Sequence, residues 1–250
     1  MPVLTPTSVA VLRTEARLFL REPSTLFWVL AFPTLLLVAL GLVPGFREAD
    51  ENIGGRRVID LYAPTAVLIG LISAGLQTQP TVLTGYREKG ILRRMRTTPA
   101  RPADLLAAQI ALHAVAVVLS TLLVLAVGRL AFGIALPEQP LGYAVALALA
   151  VLAVLAMGAV ITAFSRTVRV ASAVGMMVFF PAMFAAGVYV PIQVLPDPLL
   201  RVLELTPFGA ATQALDQAAT GGWPAWSLLA VLAVWAAGLT AVAARWFRWE

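Results

Sequence analysis

His113 is the only histidine in 250 residues, and Ser120 follows seven positions later, so a helix would carry both on one face. Such a pair is the minimum for base-activated nucleophilic hydrolysis, but no nucleophile motif surrounds Ser120, and a lone histidine among apolar residues more often makes a packing hydrogen bond. The chain has no cysteine, which removes thiol nucleophiles, disulfides and cysteine metal sites. Its single lysine, Lys89, is followed by Gly90, so the Gly-Lys-[Ser/Thr] core of a phosphate-cradling loop is missing. No catalytic residue and no metal ligand set is assigned.

The densest chemistry is cationic. From Arg87 to Arg101 the segment REKGILRRMRTTPAR holds six of the eighteen cations, and charge-free stretches of more than twenty residues flank it. If residues 87–96 are helical, Glu88, Ile91, Leu92 and Met95 share one arc of about 100°, with Lys89, Arg93, Arg94 and Arg96 on the remainder. Gly90 lowers helix propensity but permits close backbone approach. Thr98-Pro99 and Pro102 then end the segment before Asp104 caps the next helix. A small amphipathic knob of this kind suits docking into a groove of a cytosolic partner; the alternative is a loop lying on lipid head groups.

The elements that position this loop follow from composition. Sixty per cent of the residues are hydrophobic, 12% are charged and the mean hydropathy is +0.88, values foreign to a soluble domain. Runs without Asp, Glu, Lys or Arg cover 23–46, 61–86, 105–128, 139–165, 170–196 and 217–244, and each can supply the ~20 apolar residues of a membrane-crossing helix. VALALAVLAVLAMGAVI (145–161) is apolar on every side, whereas a membrane β-barrel needs alternation. The reading is an all-α membrane protein with six transmembrane helices at 24–44, 61–84, 105–128, 141–164, 170–190 and 226–244. Arg13, Arg17, Arg21, the six cations of 87–101, Arg166, Arg169, Arg245 and Arg248 then lie on one side, and Arg47, Arg56, Arg57, Arg129 and Arg201 on the other. The richer side is cytoplasmic, and with it both termini. No basic patch with interleaved aromatics points to nucleic acid.

Residues 6–22 read as an N-terminal interfacial amphipathic helix. Val9, Leu12, Ala16, Phe19 and Leu20 share an arc beside Arg13, Arg17 and Arg21, which suits contact with membrane lipids. Residues 191–224, rich in proline, read as short helices of an outer re-entrant region. The first apolar run, preceded by two glutamates, is too long for a usual signal peptide and reads as a retained helix.

REKGILRRMRTTPARPADLLAAQ (87–109) resembles the loop after the second span in permease subunits of type-2 ABC exporters, with its Glu-x-Gly-hydrophobic-Leu run and Thr-Pro pair. PIQVLPDPLLRVLELTPFGAATQAL (191–215) is similar to the segment after that family's fifth span. With the six-span order, the resemblance covers nearly the whole chain and is closest to the drug-resistance and natural-product branch, the daunorubicin-resistance type. Ile91 stands where threonine is common, and Asp216 where arginine is frequent. The resemblance implies a multi-pass subunit of a plasma membrane, bacterial in type, paired with a second permease as homo- or heterodimer. It also implies a separate ABC ATPase that holds ATP and Mg, this chain holding no cofactor. Docking would run through a coupling loop at 85–101, with Arg87, Glu88, Lys89, Gly90, Ile91, Leu92 and Met95 in contact and Arg166 and Arg169 beside them.

For cargo contact the residues point to Gln77 and Gln79, polar at membrane depth, and to Met177, Phe179, Phe180 and Phe184, whose adaptable surface suits amphipathic molecules. Ordinary helix packing is the competing reading for each. The cargo would be a drug, a natural product or a lipid, with a polysaccharide or lipid-linked glycan as alternatives. An ion-coupled secondary transporter would usually hold an acid at midplane, and an intramembrane enzyme would need paired carboxylates or histidines. The six runs contain no Asp or Glu.

Overall fold

The computed structural model describes residues 6–53, 55–95 and 102–246. The chain is mostly helical. Six helices are long and apolar enough to cross a membrane: Pro23–Gly41, Val58–Glu88, Asp104–Phe132, Pro140–Phe164, Val168–Ala185 and Trp226–Trp246, here spans one to six. Their number is the expected six, and each overlaps one of the uncharged runs with different ends. Span two continues to Glu88 rather than 84 because Tyr86 and Arg87 find partners on neighbouring elements. Span five stops at Ala185 rather than 190, and Gly187 turns the chain at a φ of 78°.

An N-terminal helix, Pro6–Phe19, precedes span one and packs on span three. Its expected arc is only partly outward: Val9, Leu12 and Leu20 are exposed, but Phe19 is buried beside Glu15. Asp104 does not cap span three. The helix begins at Pro102, and Asp104 in its first turn accepts a hydrogen bond from Ser8 at 3.1 Å, tying the N-terminal helix down.

Spans one and two each contain a π-helical turn just before a proline. Phe32 N–H donates to Phe27 O ahead of Pro33, and Gln79 N–H donates to Ala74 O ahead of Pro80. A proline inside a helix offers no N–H and clashes with the carbonyl four residues back. Widening the turn relieves that clash and leaves Val29 O and Leu76 O without their usual donors. Each freed carbonyl lies against a glycine of another span: Val29 O against Gly70, Leu76 O against Gly175. Gly158 of span four meets Gly75 O in the same way, so span two is held between spans four and five by backbone contact.

Span four packs most extensively on span six, and Ala146 and Ala150 are fully buried. Between spans five and six lie a short turn, Ile192–Val194, and helices Asp197–Glu204 and Pro207–Ala219. Thr206 caps the second, its hydroxyl oxygen accepting from Gly209 N–H at 3.1 Å, and Pro207 supplies the first turn. Short helices are as expected there, but Pro207–Ala219 is sunk among spans two, four and six rather than spread on a surface. A two-residue antiparallel ladder pairs Ala49–Asp50 with Arg56–Arg57. Arg56 forks onto Asp216 at 3.0 and 2.7 Å, which gives the acid at this position its own partner.

Candidate functional site

A cleft of about 350 Å³ opens between spans one, two and five. Span one contributes Ser24, Thr25 and Trp28 with Glu22 just ahead of it; span two contributes Ser73, Gln77, Thr78 and Thr81; span five contributes Met176 and Phe179. Both π turns border it, through Trp28 and through Gln77 with Thr78. Ser73 Oγ and Gln77 Nε2 are buried with no hydrogen-bond partner among the described residues. Burying an unpaired polar group costs free energy on the order of 1–3 kcal/mol, so these atoms suit a polar guest or water.

The predicted cargo residues divide. Gln77 and Phe179 line the cleft. Gln79 does not: it is fully buried, and a side chain at Gly158 would press on its Oε1. Met177, Phe180 and Phe184 point outward, at 76%, 58% and 36% exposure, along a stripe of span five. Met176, one residue from the expected Met177, is the methionine that lines the cleft. Trp28, Ser73 and Thr78 were missed, although Pro33 and Pro80 were a usable signal, because interior prolines displace the turn before them.

At the end of the bundle that holds the 165–167 turn, the expected single helix over 87–96 is broken. Span two ends at Glu88, Gly90 takes a φ of 66°, and a separate helix runs Ile91–Met95. Glu88 therefore does not join the apolar stripe. Its carboxylate accepts from Val168 N–H at 3.2 Å, at the start of span five, while the Arg87 guanidinium donates to Thr162 O and Ser165 O at 2.8 and 2.7 Å, at the end of span four. An anion at a helix N-terminus and a cation at a C-terminus both complement the helix dipoles, so this pair staples span two to the turn between spans four and five. Leu92 is buried and Ile91 partly so, whereas Lys89, Arg94, Arg166 and Arg169 are exposed. The Met95 side chain and the Thr98-Pro99 pair lie outside the described residues.

His113 and Ser120 do not form a nucleophilic pair. The His113 ring bonds Gln109 O at 2.8 Å and Thr78 Oγ1 at 3.1 Å, and its edge meets Phe19 with centroids 5.2 Å apart. One turn away, Glu15 accepts from the Tyr86 hydroxyl at 2.8 Å and from Gln109 Nε2 at 2.5 Å. Burial pushes the Glu15 carboxyl above its ordinary pKa, against those two bonds, which favour the charged form. Among the described residues no group of metal-binding side chains comes together.

The sequence model of the ABC-2 type transporter family matches residues 8–219, from the N-terminal helix through the buried Pro207–Ala219 helix. The chain belongs to that family. It is a multi-pass permease subunit of an ABC transporter, the membrane component of a system whose usual partner is an ABC ATPase. No curated protein sequence matches the permease.

Proposed function

We propose that this permease exports an amphipathic small molecule, of drug or natural-product type, or a lipid. It pairs with a second permease and takes its energy from separate ATPase chains that carry ATP and Mg. The observation that carries the reading is the cleft, where unpaired Ser73 and Gln77 groups face the Trp28, Met176 and Phe179 side chains. A polar floor with aromatic and thioether walls fits an amphipathic cargo. The cation asymmetry supports a cytoplasmic position for both termini and for Lys89, Arg94, Arg166 and Arg169, and the cell is bacterial in type by the resemblance of the 87–109 and 191–215 segments. These four exposed cations form the ATPase-facing rim, while Arg87 and Glu88 transmit its movement to spans four and five. The outward stripe of Val170, Val174, Met177, Phe180 and Phe184 supports pairing with the second permease.

The test uses the permease reconstituted in inverted vesicles with its ATPase and the amphipathic dye rhodamine 6G. ATP should drive dye inward. Gln77→Trp, which fills the cleft, should lower uptake about tenfold while ATPase chains still co-purify, as expected when a positioned contact is lost. Equal uptake by wild type and Gln77→Trp would remove the cleft from the transport route.

A further inference from the structure

Two cavities meet at Tyr143, at the end of the bundle that carries the 133–139 loop. One, of about 340 Å³, carries the charged side chains of Arg56, Arg57, Asp60 and Glu138, with Thr220, in an otherwise mainly apolar lining. The other, of about 390 Å³, is an apolar groove between spans three and four that includes Val118, Leu122, Leu125 and Leu147. Leu125, Pro137 and Tyr143 border both. On span three the groove lining runs from Leu125 to Val118, ~10 Å at ~1.5 Å per helical residue. That is about a third of the ~30 Å hydrocarbon thickness, room for the headgroup-proximal part of one acyl chain.

The polar end has a defined charge. Arg57 is forked onto Asp60 at 2.9 and 2.7 Å, and Arg56 onto Asp216. Glu138 has no ion-pair or hydrogen-bond partner for its carboxylate among the described residues, so one negative charge is left over. Tyr143 is 5% exposed, and its hydroxyl is a buried donor with no partner among the described residues. The site thus offers one unpaired carboxylate, one unpaired hydroxyl and a channel for a chain.

We infer that this is a binding site for one phosphatidylethanolamine molecule. An acyl chain lies in the groove between spans three and four, a phosphate oxygen accepts from the Tyr143 hydroxyl, and the primary ammonium donates to Glu138. Phosphatidylglycerol lacks the ammonium and brings a net negative charge to an already negative pocket. Phosphatidylcholine is zwitterionic, but its methylated ammonium has no hydrogen to donate. Placing the site in the outer leaflet rests on the orientation proposed above; the site itself does not.

The experiment reconstitutes the full chain in phosphatidylcholine vesicles with a trace of phosphatidylethanolamine bearing a diazirine in one acyl chain, and maps the photo-crosslinked peptides by mass spectrometry. Crosslinks should concentrate between residues 118 and 147. Unlabelled phosphatidylethanolamine should displace the probe, and phosphatidylglycerol should not. Glu138→Gln should cut the preference of the site for phosphatidylethanolamine over phosphatidylglycerol about fivefold, the size of one partly exposed ion pair. Leu122→Trp, on an outward position that tolerates bulk, should block the groove, and Tyr143→Phe should lower occupancy while keeping the ring. Crosslinks spread over the outward faces of all six spans, equal competition by phosphatidylglycerol, or a preference unchanged in folded Glu138→Gln would each overturn the assignment.

Discussion

Spans one, two and five differ in construction from spans four and six with the Pro207–Ala219 helix between them. The second group is close-packed by small residues: Ala146, Ala150, Ala153, Ala210, Ala211, Ala214 and Ala218 are fully buried. Its interior hydroxyls on Thr162 and Thr212 donate to carbonyls, and among its described residues only Tyr143, near the start of span four, keeps a buried hydroxyl without a partner. The first group carries two proline-linked π turns, a cleft, and unpaired buried groups on Ser73 and Gln77. The difference separates a scaffold from a region left with unmet hydrogen-bonding capacity. Alanine packing gives the scaffold rigidity through dispersion and close backbone contact. The cleft region keeps polar groups whose partners must come from outside the fold.

The largest effects are expected at the two seams where the backbone of span two is packed, with span four across the groups and with span five inside the first group. Gly158→Val and Gly175→Ala each place carbon onto a neighbouring backbone carbonyl, Gly75 O or Leu76 O. Each should cost about 3 kcal/mol or more, seen as loss of monodisperse protein or a large drop in melting temperature. Gly238→Ala in span six, where an added Cβ meets nothing within 4 Å, should leave melting unchanged. Similar losses for all three would mean that the seams are not special.

Arg87→Ala comes next. It strips two short bonds from the Thr162 and Ser165 carbonyls and should cost about 1–3 kcal/mol in melting experiments. Glu88→Gln keeps an oxygen for Val168 N–H and should cost less than 1 kcal/mol. If both acted only on ATPase association and left melting untouched, the pair would be a docking contact rather than a staple.

A smaller effect is expected at Glu15, whose carboxyl is held above its ordinary pKa by burial. The native state then binds more protons than the unfolded chain. The stability that Glu15 contributes is fully present below the ordinary carboxyl range and is lost as pH rises through the raised native value. Wild-type melting should therefore fall across that window more than Glu15→Gln melting does. Parallel profiles would place Glu15 in solvent instead.

Much of the fold was legible because charge and hydropathy act over whole segments. Six uncharged runs yield six helices, and the cation asymmetry reads across the chain. The site was less legible because it depends on which way single side chains turn. Gln77 and Gln79 are two residues apart and take opposite surroundings across the π turn ending at Thr78. On span five, Met176 and Phe179 line the cleft while Met177 and Phe180 face outward, a rotation that a short apolar run with no polar stripe does not fix. The 87–96 segment misled for a different reason. A helical wheel assumes continuity, and Gly90, where the chain turns, interrupts it.

Cysteine accessibility in the cysteine-free chain tests most directly which side chains of spans two and five open into the cleft. Gln77→Cys, Gln79→Cys and Met177→Cys are each exposed in vesicles to a charged, water-soluble methanethiosulfonate. Gln77→Cys alone should label rapidly, because it lines the cleft, whereas residue 79 is closed against Gly158 and residue 177 lies on the outward apolar stripe. An inert Gln77→Cys, or labelling of Gln79→Cys at the same rate, would contradict this placement.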